Sequence, residues 1–275
     1  MGKVLVVAAR KGGVGKSTTV LNLAAGLARQ GKKVLCLDLD NQHSLTVSMG
    51  LKEPDKLPIT IATIIADIIN KRDIDPTAGI IRHDEGIDLM PANNTLLGME
   101  ISIAPLVGRE ILIKKYLNKV KHLYDYIIID TSPSVDILAT NALAAADSVI
   151  IPVMPKFLDA KGLELLLRSI ADIREDINPN LEICGILLTM VDKRTNFTKE
   201  IISLIENAYG RNIRIFNDHV PHSIRAAEAS ALGKSIFSYD PNGKAATAYA
   251  ALTREVLVDI CGAVAQERGR GNVQG

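Results

Sequence analysis

The 275 residues allow one large domain or two small ones. Hydrophobic residues are 47% of the chain but aromatics only 4%, with no Trp, so the core must be aliphatic. The net charge of +1 excludes a molecule that binds polyanions over its whole surface and leaves a local patch as the only nucleic-acid surface to consider.

The first apolar run, Val4 to Ala9, is too short for a signal peptide and leads into a glycine-rich loop instead of a cleavage site. Lys3 to Ala9 reads as a strand. Lys16 to Gln30 has apolar residues at helical spacing, and Gly31 offers a stop. Lys33 to Leu37 is the next strand, ending at Asp38. The stretch from Met49 to Leu89 is less regular, with a helix near Thr60 to Asn70 and a short strand pair, Gly79 to Arg82 and Ile87 to Met90. Leu96 to Val120 reads as helical with a break at Pro105. Tyr126 to Ile129 is an apolar strand ending at Asp130, and Ser148 to Val153 is another. Helices are expected over Ala160 to Ile177, Thr198 to Tyr209 and Ile224 to Leu232, with a strand at Ile183 to Met190. The last helix spans Ala245 to Gln266.

Strands alternating with helices predict an α/β fold: a doubly wound, mainly parallel sheet with helices on both faces. Residues 1–266 are expected to form a single domain and 267–275 a disordered polar tail. No stretch approaches the roughly 20 apolar residues of a membrane span. Cys36, Cys184 and Cys261 are far apart and read as core thiols in a reducing cytoplasm. The five histidines show no metal or triad spacing.

Ligands of such sheets bind beyond the carboxyl ends of the strands. The groups expected to converge there are the loop 10–18, Asp38, Asp40, Asp130, Pro155 and Asp192. The loop Arg10-Lys11-Gly12-Gly13-Val14-Gly15-Lys16-Ser17-Thr18 follows a strand and opens a helix, the context of a phosphate-binding P-loop. Its glycines let the backbone approach a phosphate, and successive N–H groups face the anion. Lys16 supplies a charge to the outer phosphates of ATP, and Ser17 a hydroxyl for Mg²⁺. Arg10 stands where the general motif has its first Gly. Lys11 is costly beside an already basic site unless it points away or meets another negative charge. One solution is reaching the phosphates of a nucleotide in a second subunit, and the plainer one is a solvated lysine on the loop rim. Asp38 and Asp40 alternate onto one side, suiting one carboxylate to order Mg²⁺ and the other to orient water, though a polar loop start would look the same. Asp130, after Ile127-Ile128-Ile129, has the Walker B form and suits hydrogen bonds from magnesium-bound water.

Lys11-Gly12-Gly13-Val14-Gly15-Lys16-Ser17-Thr18 resembles the deviant Walker A motif of the ParA/MinD family, with Lys11 at the signature lysine position. Asp38-Leu39-Asp40-Asn41-Gln42, the strand ending at Asp130, Asn141 to Asp147, Ile150 to Val153, Leu188 to Asp192 and Tyr239-Asp240-Pro241 extend the likeness over nearly the whole chain, closest to ParA-type partition ATPases. The resemblance implies a P-loop NTPase that hydrolyses ATP with Mg²⁺ as a homodimer, two nucleotides lying between the subunits. It makes Lys11, Lys16 and Asp40 catalytic, Lys11 acting across the interface. It places Mg²⁺ at Ser17, Asp38 and Asp130, and the nucleotide against residues 11–18, Met190, Asp192 and Pro221. It also implies non-specific DNA binding, with Lys193, Arg194, Arg225, Lys234 and Lys244 as candidate contacts, and a ParB-like partner that stimulates hydrolysis. Location on the nucleoid would follow. A solvated charged surface is the plainer reading of those five cations. A start directly at the first strand leaves no place for an N-terminal helix-turn-helix. Asn41, for the usual proline, and Thr131-Ser132-Pro133 depart from the family pattern. A MinD-like membrane ATPase would need a basic amphipathic C-terminal helix, and the polar end from Gln266 to Gly271 lacks bulky hydrophobes. A metabolic enzyme of the superfamily would need loop cysteines or a small-molecule pocket.

Overall fold

The computed structural model describes residues 2–73, 75–134 and 136–270, and side chains for all of these except 157, 158, 160 and 259–270. The chain begins with β1 (Lys3–Val7), α1 (Lys16–Arg29), β2 (Val34–Leu39), α2 (Ser44–Ser48) and α3 (Ile61–Ile69). A hairpin of β3 (Ile81–Arg82) and β4 (Asp88–Met90) follows, then α4 (Thr95–Ile103), α5 (Leu112–Val120), β5 (Tyr126–Thr131) and α6 (Ile137–Ala145). The second half holds β6 (Ser148–Val153), α7 (Phe157–Asp176), β7 (Glu182–Leu188), α8 (Asn196–Tyr209), α9 (Ile224–Ala231), α10 (Ile236–Tyr239) and α11 (Lys244–Arg270).

The strands form one sheet in the order β3-β4-β2-β5-β1-β6-β7. All pairs are parallel except β3 with β4. Alternate residues of each apolar strand serve two cores. Val4, Val6, Leu35, Leu37, Ile127, Ile129 and Ile151 pack with α3 to α8. Leu5, Val7, Val34, Cys36, Ile128 and Ile150 pack with α1, α2, α10 and α11. Burial on both faces is why the strands read as unbroken aliphatic runs. It also makes the sheet the doubly wound, mainly parallel one expected from sequence. β1 sits between β5 and β6, so the loop after it opens where the winding reverses, the usual ligand position of an open α/β sheet.

Four elements differ from expectation: the stretch from Leu96 to Val120, and α6, α2 and α10. The helical stretch Leu96 to Val120 is two helices, separated over residues 104–111 and not by Pro105 alone. Gly108, at φ +72, turns the chain within that gap. Helix α6 went unread because Leu138, Ala139, Ala142, Leu143 and Ala144 are buried, which leaves almost no polar face. Asn141 is buried too; it accepts from Ile113 N–H and donates to the Arg109 and Ile137 carbonyls, tying α6 to α5. Helices α2 and α10 have five and four residues, too short to show a period.

Helix α11 runs to Arg270, four residues into the expected tail; residues 271–275 lie outside the described residues. Its apolar face is buried through Tyr249, Leu252 and Val256 against α1. The side chain of Cys261 lies outside those described. Cys36 is fully buried, and burial pushes its thiol far up, while Cys184 is partly buried and pushed up to about 11. Among the described residues no helix is long and apolar enough to cross a membrane.

Candidate nucleotide site

The loop from Arg10 to Gly15 leaves β1 and enters α1 through two left-handed residues, Gly13 at φ +75 and Gly15 at φ +85. A side chain at either would be strained, which fixes glycine there. Helix α1 has no side-chain cap, so the N–H groups of its first turn remain available to an anion.

Lys16 is buried beneath the loop. Its Nζ donates to the Lys11 carbonyl at 3.5 Å, and burial lowers its pKa against the opposing charges of Asp130 and Asp40. Asp130 is the penultimate residue of β5 and lies beside Asp38 of β2, its register partner. Asp130 is wholly buried, and neither carboxylate oxygen meets a hydrogen-bond partner of good geometry. Its pKa stands well above the ordinary range, first through burial and then through the Asp38 charge; nearby Ser17 and Lys16 offset part of this. Asp38 differs in having both oxygens engaged. Oδ2 accepts from the Thr46 N–H at 2.8 Å and hydroxyl at 2.6 Å, and Oδ1 from the Asp40 N–H at 3.1 Å. Burial still pushes Asp38 up to about 6. Asp40 is buried and accepts from the Gln42 N–H at 2.9 Å.

The buried Asp130 and Asp40 thus oppose one lysine, with the buried Asp38 beside Asp130. A buried carboxylate without donors costs several kcal/mol unless a cation or donor joins it, and the orphaned Asp130 oxygens beside Ser17 suit the hydration shell of Mg²⁺. The donor set is all oxygen, as a hard cation requires.

Lys11 points away from this cluster. Its Nζ lies 2.5 Å from Oδ1 of Asp159 in the first turn of α7. The Asp159 side chain is 2% exposed, and its carboxylate otherwise lacks a hydrogen-bond partner. Sequence reading missed Asp159; its only signal was being the first acid after β6. Next to Lys11, a Cβ built on Gly12 or Gly13 meets nothing within 4 Å.

On the far side, the buried Thr189 hydroxyl donates to the Val14 carbonyl at 2.9 Å and staples the end of β7 to the loop. Met190 follows in a left-handed conformation, φ +51, with its Cε 4.0 Å from the Cβ position of Gly15. Val191 pairs with Pro221, its N–H donating to the Val220 carbonyl at 3.0 Å. Met190 and Pro221, expected at the base, are therefore brought to one side of the loop. Asp192 is occupied by Arg194, through Nε at 2.8 Å and Nη2 at 2.7 Å, and this fork holds its carboxyl down at about 2. Pro155 lies buried between β6 and α7, near the Lys11–Asp159 side.

A family model described as an AAA domain matches residues 2–183. The sporulation initiation inhibitor protein Soj of Bacillus subtilis (strain 168) is 39% identical over 259 residues, 94% of this chain and 100% of that protein. The chromosome partitioning protein ParA of Myxococcus xanthus (strain DK1622) is 35% identical over 94% of this chain and 88% of its own length. This chain belongs to the ParA/Soj family of partition ATPases. Among solved structures, a Mycobacterium smegmatis protein titled cobyrinic acid a,c-diamide synthase, with bound ADP and magnesium, matches with a TM-score of 0.81 at 34% identity, over 94% of each chain. A putative plasmid partition protein of Borrelia burgdorferi B31, bound to AMPPNP, matches with a TM-score of 0.76 at 27% identity, over 94% of this chain and 100% of that one.

Within this ParA/Soj chain the candidate DNA contacts are all exposed. Lys193 and Arg194 lie between β7 and α8, Arg225 on α9, Lys234 just after α9, and Lys244 at the start of α11. Arg194 is paired with Asp192, and Arg225 lies 3.6 Å from Asp240. The departure Thr131-Ser132-Pro133 builds a local network: the Ser132 and Ser134 hydroxyls donate to Asp136, which caps α6 through the Ala139 N–H.

Proposed function

We propose that this chain is an ATP-controlled dimer switch that binds DNA without sequence preference when ATP joins two copies, and that a ParB-like partner resets it by stimulating hydrolysis. The observation that carries this reading is the rim of the phosphate loop. Lys11 is held by Asp159, turned away from the Lys16 cluster, beside Cβ positions of Gly12 and Gly13 that meet no described atom within 4 Å.

In the proposed mechanism the loop N–H groups and Lys16 hold the phosphates of ATP. Ser17 would contact Mg²⁺ directly, with Asp130 accepting hydrogen bonds from its water shell and Asp38 shaping that shell through Thr46. The ion supplies charge neutralisation at the outer phosphates. Asp40 orients the attacking water. Lys11 leaves Asp159 to meet the nucleotide of the partner subunit, stabilising transition-state charge in trans. Met190, Asp192 and Pro221 line the base. Lys193, Arg194, Arg225, Lys234 and Lys244 contact phosphates of DNA, and dimerisation doubles that patch. A cytoplasmic, nucleoid-associated location follows.

Likeness to the diamide synthase structure supports a second reading, an amide-forming enzyme. The 39% identity to Soj over 94% of this chain, against 34% to the synthase, favours the first reading.

DNA retention measured with ATP, ADP and no nucleotide, at two salt concentrations, tests the proposal. Retention should be ATP-specific and fall steeply with salt. Lys16→Ala should abolish it through loss of nucleotide, and Arg225→Glu should abolish it with nucleotide binding intact. Retention indifferent to nucleotide would sink the switch.

A further inference from the structure

The short loop between α9 and α10 is gripped from three directions, two of which lead back to the nucleotide site. Asp38 anchors α2 through Thr46, whose hydroxyl also accepts from the Ala92 N–H at 3.0 Å. After α2 the chain reaches Gly50 (φ +93), which lies directly against Gly233 (φ +69). A Cβ on Gly233 would sit 2.7 Å from the Gly50 Cα, so the two backbones touch with no side chain between them. From the phosphate-loop helix, Asn22 donates to the Thr18 carbonyl at 2.8 Å and accepts from the Ile236 N–H at 2.7 Å. From the β3–β4 hairpin, His83 Nε2 lies 2.9 Å from the Gly233 carbonyl oxygen. Glu85 accepts from the Ser235 N–H at 2.8 Å and from its hydroxyl. Lys234 sits at the centre of these contacts with its own side chain exposed.

We propose that the segment Leu232–Ser235 is the junction through which the nucleotide site sets the presentation of Lys234 and α9, with the β3–β4 hairpin as its fixed abutment. Contacting backbones and buried hydrogen bonds do not deform gradually; they shift between discrete arrangements. A change at Asp38 or Thr18 therefore reaches Gly233 or Ile236 with little slack. His83 and Glu85 touch neither nucleotide nor proposed DNA, so they can be altered without touching either site. The inference rests on the DNA-binding reading for its consequence, but the motion itself can be read without DNA.

Hydrogen exchange of the full chain, with ATP against ADP, tests the junction. The Ser235 and Ile236 amides should exchange about tenfold more slowly in ATP, a modest population shift. Equal rates overturn the proposal. In the double variant His83→Ala, Glu85→Ala, nucleotide affinity should hold. The Ile236 difference should collapse, and the ATP-over-ADP ratio of DNA retention should fall about tenfold. A variant keeping both differences also overturns it. If the variant fails to fold, the wild-type exchange comparison decides alone. Exchange that responds to ATP in a protein that retains no DNA supports the junction and removes the DNA reading. ATP-specific DNA retention with unresponsive amides does the reverse.

Discussion

Lys11 and Asp159 form a contact with unequal partners, an exposed lysine and a buried acid. Removing the lysine strands the acid; removing the acid only frees the lysine. Lys11→Ala should therefore lower the stability of the nucleotide-free chain by about 1–2 kcal/mol, discounted for the solvent around Lys11, and abolish ATP turnover while ATP still binds. Urea unfolding and a steady-state phosphate assay check the two halves. Asp38 yields a second prediction. Its carboxyl is raised to about 6 by burial, so between the ordinary value of 3.8 and 6 the folded chain holds a proton that the unfolded chain has lost. Its contribution thus penalises folding increasingly as pH rises from about 4 to 6, by on the order of 3 kcal/mol once complete, and Asp130 acts in the same direction. Without magnesium or nucleotide, urea midpoints should be higher at pH 5 than at pH 7, and Asp38→Asn should flatten that difference. Much of the placement of these residues was legible in the sequence. Gly13, Gly15, Lys16 and Asp130 occupy the places their motif gave them, because glycine conformation and strand ends are local properties. Asp159 and Thr46 were not legible. Each acts through a partner far along the chain or through a turn too short to leave a pattern.

At the level of elements, strands were easy to read and buried helices were not. Strand runs such as 126–129 are apolar on both faces and bounded by Asp125 and Asp130, whereas α6 is apolar all round and lacks the period that marks a surface helix. Helix α1 met both conditions, with an apolar face and a glycine stop. Its crossing with α11 depends on a residue whose role the period does not reveal. A Cβ on Gly26 would collide with the Thr253 hydroxyl and come within 3.2 Å of its Cγ2. That hydroxyl is fixed by donating to the Tyr249 carbonyl at 2.8 Å. Alanine at an unhindered helix interior gains up to about 1 kcal/mol over glycine, so a loss here would have to come from overpacking. Gly26→Ala should lower the urea midpoint, a net cost of about 1–2 kcal/mol, and adding Thr253→Ala should restore most of it. Additive losses in the double variant would place the clash elsewhere.

For the whole molecule, the phosphate loop lies at the carboxyl edge of the sheet, and among the described residues no atom comes within 4 Å of a Cβ on Gly12 or Gly13. That arrangement separates two roles of glycine which the sequence shows side by side. Gly13 and Gly15 are required by backbone conformation, so substitution there would disturb the monomer. Gly12 lacks a positive φ, and its Cβ position meets no atom within 4 Å. The described residues therefore give Gly12 no steric reason to be glycine. Under the proposed switch, close approach of a second copy supplies one. Gly12→Val should leave the thermal midpoint of the nucleotide-free protein within a few degrees of wild type, and a fluorescent ATP analogue should still bind, since the Lys16 and Ser17 side chains are untouched. With ATP and magnesium the wild type should sediment as a dimer and the variant as a monomer. Turnover and DNA retention should be lost with the dimer. A variant that still dimerises would remove Gly12 from the interface. Equal loss of ATP binding and dimerisation would move its role back to the phosphates of its own subunit.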